Sequence, residues 1–141
     1  MQARYELFDH TADVGVRVYA PTLASLIEPA TRGLYEVIGE LAGKTGAAAE
    51  QVRLEFSGDE PAVMLRDYLA EVLRRFETCH QLATEVEVEQ FTEDRLAVSV
   101  KMRPVDPHRS KYANEVKAVT YHELGIRSSP DGFEATYIVD I

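Results

Sequence analysis

Two stretches of this chain space their apolar side chains three and four residues apart, as the buried stripe of an amphipathic helix requires. These stretches lie at residues 23–41 and 65–76. The other apolar segments show strand patterns, and they lie at residues 4–10, 14–20, 51–57, 85–89, 96–102, 115–126 and 133–141. Two helices cannot cover both faces of a sheet of about seven strands. We therefore expect an α+β fold, a two-layer sandwich with both helices on one face of a largely antiparallel or mixed sheet.

Local features add three predictions to this outline. Pro29 lies inside the first helical stretch, where a proline costs about 3 kcal/mol, so we expect the helix to bend there. The turn residues at 92–94 predict a hairpin in which Glu85 lies opposite Lys101. Cys79, near the end of the second helix, is expected to be a small apolar filler.

Composition limits the classes of function that need to be considered. The chain has 141 residues, enough for one domain spanning 1–141, and 45% of them are hydrophobic. A net charge of −9 argues against direct binding of nucleic acid, which needs basic residues to neutralise phosphates. No apolar run approaches the roughly 20 residues that span a bilayer, and the N-terminus lacks the apolar core of a signal peptide. With a single cysteine, these features favour the cytoplasm.

Polar chemistry concentrates at the tight connection formed by residues 10–15, where His10 and Asp13 stand among small residues. The chain closes on a strand pattern that brings the Asp140 side chain next to the terminal carboxylate of Ile141. If the two ends meet, three carboxylates converge into a site suited to a hard divalent cation. Alternatively, Asp13 caps backbone amides in a turn, His10 is structural, and the terminal acids are solvated.

A third polar stretch, residues 115–123, has no purely apolar face. Strand alternation puts Lys117 on one face and His122 on the other, and Glu115 either supplies a further oxygen to the site or pairs with Lys117. His122 and Glu123 begin like the zinc-binding helix motif HExxH, but the second histidine is missing, so that interpretation fails. The sequence also lacks a glycine-rich phosphate loop and a serine-nucleophile elbow.

Three blocks of this sequence together resemble the archease family. Residues 10–15 read HTADVG and resemble its HTADxG signature, residues 115–122 read EVKAVTYH and resemble its EVKAxTYH block, and the closing Asp140 and Ile141 resemble its terminal DI. The blocks occur in the family's order, and the resemblance covers the whole chain. The sequence departs from the family pattern at residues 110–114, where a shorter approach containing histidine and glycine is expected, and at Pro29.

The resemblance implies a small cytoplasmic cofactor protein that is not itself an enzyme. Its expected partner is the RtcB-type RNA ligase of tRNA splicing. The family stimulates transfer of GMP from GTP onto a ligase histidine, restores the ligase for further turnovers and broadens its use of nucleotides. The resemblance assigns a divalent metal, usually calcium and with manganese also possible, to Asp13, Asp140 and Ile141. It leaves His10, Glu115, Lys117 and His122 as partner-facing or site-supporting residues.

Two other functions are compatible with the residues. A general chaperone-like interaction module would protect unrelated clients from aggregation, and its carboxylates would be structural. A small metal-dependent hydrolase would use His10 or His122 as a base and would turn over substrate alone.

Overall fold

The structure is a computed structural model that describes residues 1–10, 12–46 and 48–141. Thr11 of the predicted connection lies outside the described residues. The elements in chain order are β1 (Arg4–His10), β2 (Asp13–Ala20), a 3-10 turn (Ala24–Leu26), α1 (Ile27–Ile38), β3 (Gly39–Glu40), β4 (Glu50–Ser57), α2 (Pro61–Cys79), β5 (Gln81–Phe91), β6 (Arg95–Pro104), β7 (Lys111–Tyr112), β8 (Ala118–Val119), β9 (Gly125–Ser129) and β10 (Gly132–Asp140). Neither α-helix has the length and apolar composition needed to span a bilayer.

The strands pair antiparallel, and the predicted α+β class is confirmed. They divide, however, among a sheet with the order β1-β2-β10-β8 in which β9 also pairs with β10, a sheet with the order β4-β6-β5, and the small pair β3-β7. The expected single sheet of about seven strands is therefore wrong in this detail. Apolar alternation determines which face of a strand is buried, but it does not determine which strand lies alongside.

Both helices pack into one core together with the two larger sheets. Gly33 of α1 lies so close to β2 that a Cβ added there would be 2.7 Å from Cγ1 of Val16. Buried hydroxyls connect the layers: Thr31 Oγ1 of α1 is 2.8 Å from the Tyr68 hydroxyl of α2, and the Tyr137 hydroxyl of β10 donates to the Ala30 carbonyl at 2.7 Å. Because these polar groups are satisfied, the first contact joins α1 to α2 and the second joins α1 to β10 at little cost of burial.

The first helix corrects the prediction about Pro29. Residues 24–26 form a 3-10 turn and α1 begins only at Ile27, so Pro29 is the third residue of the helix. The first four N–H groups of a helix have no partner within it, and a proline there breaks no hydrogen bond. The predicted mid-helix position of Pro29 is therefore wrong, and the reason for expecting a bend there falls away, because the apolar stripe began before the α-helix did.

The predicted strand at residues 115–126 is also wrong over most of its length. Within it, only Ala118–Val119 and the first two residues of β9 lie in strands, and a turn at residues 121–123 separates β8 from β9. Val116 and Val119 are both buried although they are three residues apart, so the chain does not alternate here. Glu123 has φ 52°, a left-handed conformation that reverses the chain and that apolar spacing cannot reveal.

The second half of the chain gives one confirmation and one further correction. The β5–β6 hairpin forms and pairs Glu85 with Lys101, whose Nζ is 3.1 Å from Oε2 of Glu85. Cys79 is exposed at the end of α2 and does not fill the core. Burial along that helix ends at Leu73, so its last residues extend beyond the part that is covered.

Gly132, the first residue of β10, is expected to tolerate no larger side chain. It has φ 148°, and a Cβ there would lie 2.4 Å from the Ala20 carbonyl oxygen, a backbone atom that cannot move aside. We expect Gly132→Ala to lower the free energy of unfolding by about 1–3 kcal/mol, measured by urea denaturation. Gly125→Ala is the matched control, since no heavy atom lies within 4 Å of a Cβ there. Equal stability of the two variants would contradict this account of the β9–β10 hairpin.

Three buried tyrosines are expected to make stability fall at alkaline pH. Burial raises the pKa of Tyr35, Tyr68 and Tyr137 above the ordinary value of 10.0. Above pH 10 the unfolded chain has lost phenolic protons that the folded chain still holds, so the free energy of unfolding decreases as pH rises. Each tyrosine contributes a slope of about 1.4 kcal/mol per pH unit. Urea denaturation between pH 9 and 12 should show a shallower decline in Tyr68→Phe, and an unchanged slope in that variant would refute the assignment.

Candidate functional site

The antiparallel register of β1 and β2 places His10 next to Asp13. It pairs these two residues directly, and Ala12, just before Asp13, has φ 63°. A left-handed residue is typical of a tight hairpin connection, because its twist matches that of the strands. Residues that face each other on antiparallel strands share one side of the sheet, so the His10 ring approaches the carboxylate, with Nδ1 3.8 Å from Oδ2 of Asp13.

The closing strand brings a second carboxylate to the same place. β10 runs antiparallel to β2 over its whole length, and the register ends with Asp140 opposite Asp13. The two chain segments therefore meet, as predicted. Ile141 follows directly, half-buried and packed against the core, and the Lys117 amide donates to the Asp140 carbonyl at 2.7 Å, which fixes the strand end.

Among the described residues, a single ion-pair contact reaches the Asp13 and Asp140 pair. Like charges directly opposite each other on neighbouring strands are destabilising. The contact is that of His10, whose Nδ1 lies 3.8 Å from Oδ2 of Asp13, which is too long for a hydrogen bond. The Asp13 side chain is also 27% exposed, so a hydrated ion can reach it. Two carboxylate side chains on the same side of neighbouring strands, at an accessible strand end, are a donor set of the kind that suits a hard divalent cation.

A cluster that includes a residue missed by the sequence analysis lies on the other side of the His10 ring. The turn at residues 121–123 brings His122 and Glu123 to His10: Nε2 of His10 is 3.2 Å from Oε2 of Glu123, and the two imidazole rings lie 5.1 Å apart with an interplanar angle of 62°. Nδ1 of His10 is buried and has no hydrogen-bond partner among the residues that the structure describes. The sequence offered one signal for Glu123, namely its place directly after His122 and two residues before Gly125. That signal was overlooked because the stretch was interpreted as a strand.

The remaining predicted residues, Glu115 and Lys117, line a groove of about 790 Å³ between α2 and residues 112–117. Lys117 lines this groove while its amide bonds to β10. Glu115 also lines it, near Glu77, whose pKa is raised mainly by burial and further by the charge of Glu115. The structure thus gathers His10, Asp13, Asp140 and His122 at one end of the five-stranded sheet. Glu115 lies in the adjoining groove and forms no ion pair with Lys117 among the described residues.

Comparison with known proteins agrees with this arrangement. The sequence model of the Archease protein family matches residues 5–141. The chain belongs to the archease family. Protein archease of Methanopyrus kandleri is 31% identical over 140 residues, covering 97% of this chain and 99% of that protein. Protein archease of Methanosarcina acetivorans is 30% identical over 142 residues, covering 98% and 96%.

Two solved structures share the fold of this archease. The solution structure of protein 1598 of Methanobacterium thermoautotrophicum superimposes with a TM-score of 0.71 at 27% identity, covering 97% of this chain and 98% of the other. The crystal structure of a Thermotoga maritima archease, described as a possible chaperone, gives a TM-score of 0.70 at 20% identity and covers 95% and 94%. The second likeness concerns the fold alone.

Proposed function

We propose that this archease activates an RtcB-type RNA ligase in tRNA splicing and is not itself an enzyme. It would promote guanylylation of the ligase histidine, allow multiple turnovers and broaden the choice of nucleotide triphosphate. Membership of the archease family supports the proposal, and we place the activator in the cytoplasm with its proposed partner.

The observation that carries the proposal is the direct opposition of Asp13 and Asp140 across β2 and β10. Transfer of a nucleotidyl group depends on positioning and on cations that offset the charge that develops on phosphate oxygens. A bound divalent ion, calcium or manganese, would supply that positive charge. Asp13 and Asp140 would hold it through their carboxylates, and a main-chain oxygen of Ile141 beside them would be the third ligand.

The surroundings of the carboxylate pair suit a contact with a partner protein. Lys117 is exposed beside Asp140, and its backbone is hydrogen-bonded to the strand that carries Asp140. Its side chain can therefore contact a partner or a phosphate while its main chain stays in place. His10 is the neighbour on the opposite side, with its Nδ1 3.8 Å from Oδ2 of Asp13.

The test is a reconstitution with a purified RtcB-type ligase and RNA substrate in large excess over the ligase. With this archease present, we expect guanylylated ligase to accumulate and ligation to continue through many turnovers, whereas the ligase alone stops near one. Co-purification of the two proteins would identify the partner. Ligation that stops at the same point with and without the archease would refute the proposal.

A second candidate, a chaperone-like interaction module, is favoured by one observation. The groove between α2 and residues 112–117 is lined partly by apolar side chains: Leu73 and Val116 are buried at its floor, and Phe76 is only partly buried. This function predicts that aggregation of unrelated clients is suppressed equally with and without a chelator. Suppression that is limited to the ligase would exclude it.

A further inference from the structure

The cluster of His10, His122 and Glu123 has the dimensions of a metal site with a different preference from the carboxylate pair. One donor atom from each of the three residues lies within 4.8 Å of the others. Donors around a tetrahedral ion with bonds of about 2.0–2.2 Å are about 3.3–3.6 Å apart. The 3.2 Å separation of His10 Nε2 and Glu123 Oε2 is close to that value. A change in the side-chain conformation of the exposed His122 is then enough to bring its imidazole nitrogen within bonding distance of the same ion.

The donor types point to a transition metal. Imidazole nitrogens favour zinc, nickel or copper, whereas carboxylates with carbonyls and water favour calcium and magnesium. Two histidines and one glutamate leave a fourth position open to water or a partner's ligand. The pair Asp13 and Asp140 contributes only oxygen donors. The two sites therefore select different ions, although His10 lies between them.

The unpartnered atom of His10 fits this assignment. When Nε2 of a neutral imidazole binds a metal, Nδ1 carries the proton, and metal-binding histidines almost always donate that proton to a carboxylate, a carbonyl or water. Nδ1 of His10 is buried without a hydrogen-bond partner in the described part of the chain, and Oδ2 of Asp13 is 3.8 Å away. A contraction of about 1 Å completes a carboxylate–histidine–metal series and satisfies the buried nitrogen.

Hydrogen bonds of Thr120 hold the turn that carries His122 and Glu123 in place. Thr120 Oγ1 donates to the Ile138 carbonyl of β10 at 3.0 Å and accepts from the His122 amide at 3.2 Å. Glu123 keeps a left-handed conformation, which is strained for a residue other than glycine, and such strained residues are concentrated at functional sites. A solvent-open groove of about 500 Å³, lined by His10 and Glu123, gives an ion access to the cluster.

We propose that His10, His122 and Glu123 form a binding site for one zinc-class transition metal ion, distinct from the site of the carboxylate pair. This inference does not depend on the proposed activation of a ligase.

The test is a titration with Zn²⁺ followed by isothermal calorimetry, in a Cys79→Ser background because the exposed thiol of Cys79 is itself a zinc ligand. We expect one equivalent to bind, and we expect His122→Ala and Glu123→Gln each to weaken binding at least about tenfold. His108→Ala, which changes an exposed histidine elsewhere, should leave the affinity unchanged.

Two further readouts separate this site from the carboxylate pair and from misfolding. Ca²⁺ binding should persist in His122→Ala, and Zn²⁺ binding should persist in Asp140→Asn. Nitrogen NMR of the imidazoles should show that Zn²⁺ shifts the signals of His10 and His122 together. Unchanged Zn²⁺ affinity in His122→Ala, or imidazole signals that do not move, would overturn the inference.

Discussion

Asp13→Asn is expected to stabilise the cation-free protein while it removes stabilisation by calcium or manganese. Asparagine keeps the shape of the side chain and relieves the repulsion with Asp140, so the free energy of unfolding of the chelated protein should rise by up to about 1 kcal/mol. In the wild type, a cation at a hundred times its dissociation constant adds about 2.7 kcal/mol, and this increment should vanish in the variant. Urea denaturation with and without the ion measures both effects.

The same substitution should eliminate activation in the reconstituted ligase assay. We expect ligation with Asp13→Asn to stop where it stops without archease, and Asp140→Asn to behave in the same way. Asp9→Asn is the matched control, because Asp9 is an exposed carboxylate of β1 that pairs with Val14 and not with either aspartate. Full stimulation by folded Asp13→Asn would show that the carboxylate pair is structural.

Lys117→Met is expected to separate ion binding from activation. The substitution retains most of the aliphatic side chain and leaves the amide that bonds to Asp140 unchanged, so the strand end and cation affinity should be preserved. If the ammonium group contacts a carboxylate or phosphate of the complex, its loss removes about 1.5–3 kcal/mol, which is a decrease of roughly 10- to 100-fold in stimulation. The rate of ligase guanylylation at saturating cation measures this effect.

Lys44→Met provides the control for Lys117→Met, since Lys44 is an exposed lysine in the loop before β4. It should stimulate the ligase like the wild type. Wild-type stimulation by Lys117→Met would show that this lysine does not face the partner. Loss of Ca²⁺ binding in Lys117→Met would instead show that its role is to support the carboxylate pair.

Local patterns in the sequence predicted the two strands that carry Asp13 and Asp140. Period-two alternation marks β2 and β10, and each acid stands at the end of its strand. The antiparallel register then places Asp13 opposite Asp140. That the two strands are neighbours did not follow from alternation and came from the small connection, the apolar closing strand and the family resemblance.

The parts that sequence reasoning missed depend on backbone geometry and on long-range pairing. Glu123 enters the cluster with His10 because its backbone is left-handed, and a glutamate carries no sequence signal of that conformation. The division of the strands among several sheets depends on which edges meet, and side-chain period does not encode this. Pro29 misled the prediction because the apolar stripe of α1 continues backwards through the 3-10 turn.

The most direct test of the carboxylate site is a crystal structure of this archease with Mn²⁺, with anomalous differences recorded above the manganese absorption edge. Manganese reports on both the calcium-like and the manganese-dependent forms of the proposal, because oxygen donors suit both ions. We predict an anomalous peak between the side chains of Asp13 and Asp140, beside Ile141, that disappears in Asp13→Asn. A map with no peak between these two carboxylates at millimolar Mn²⁺ would contradict the account.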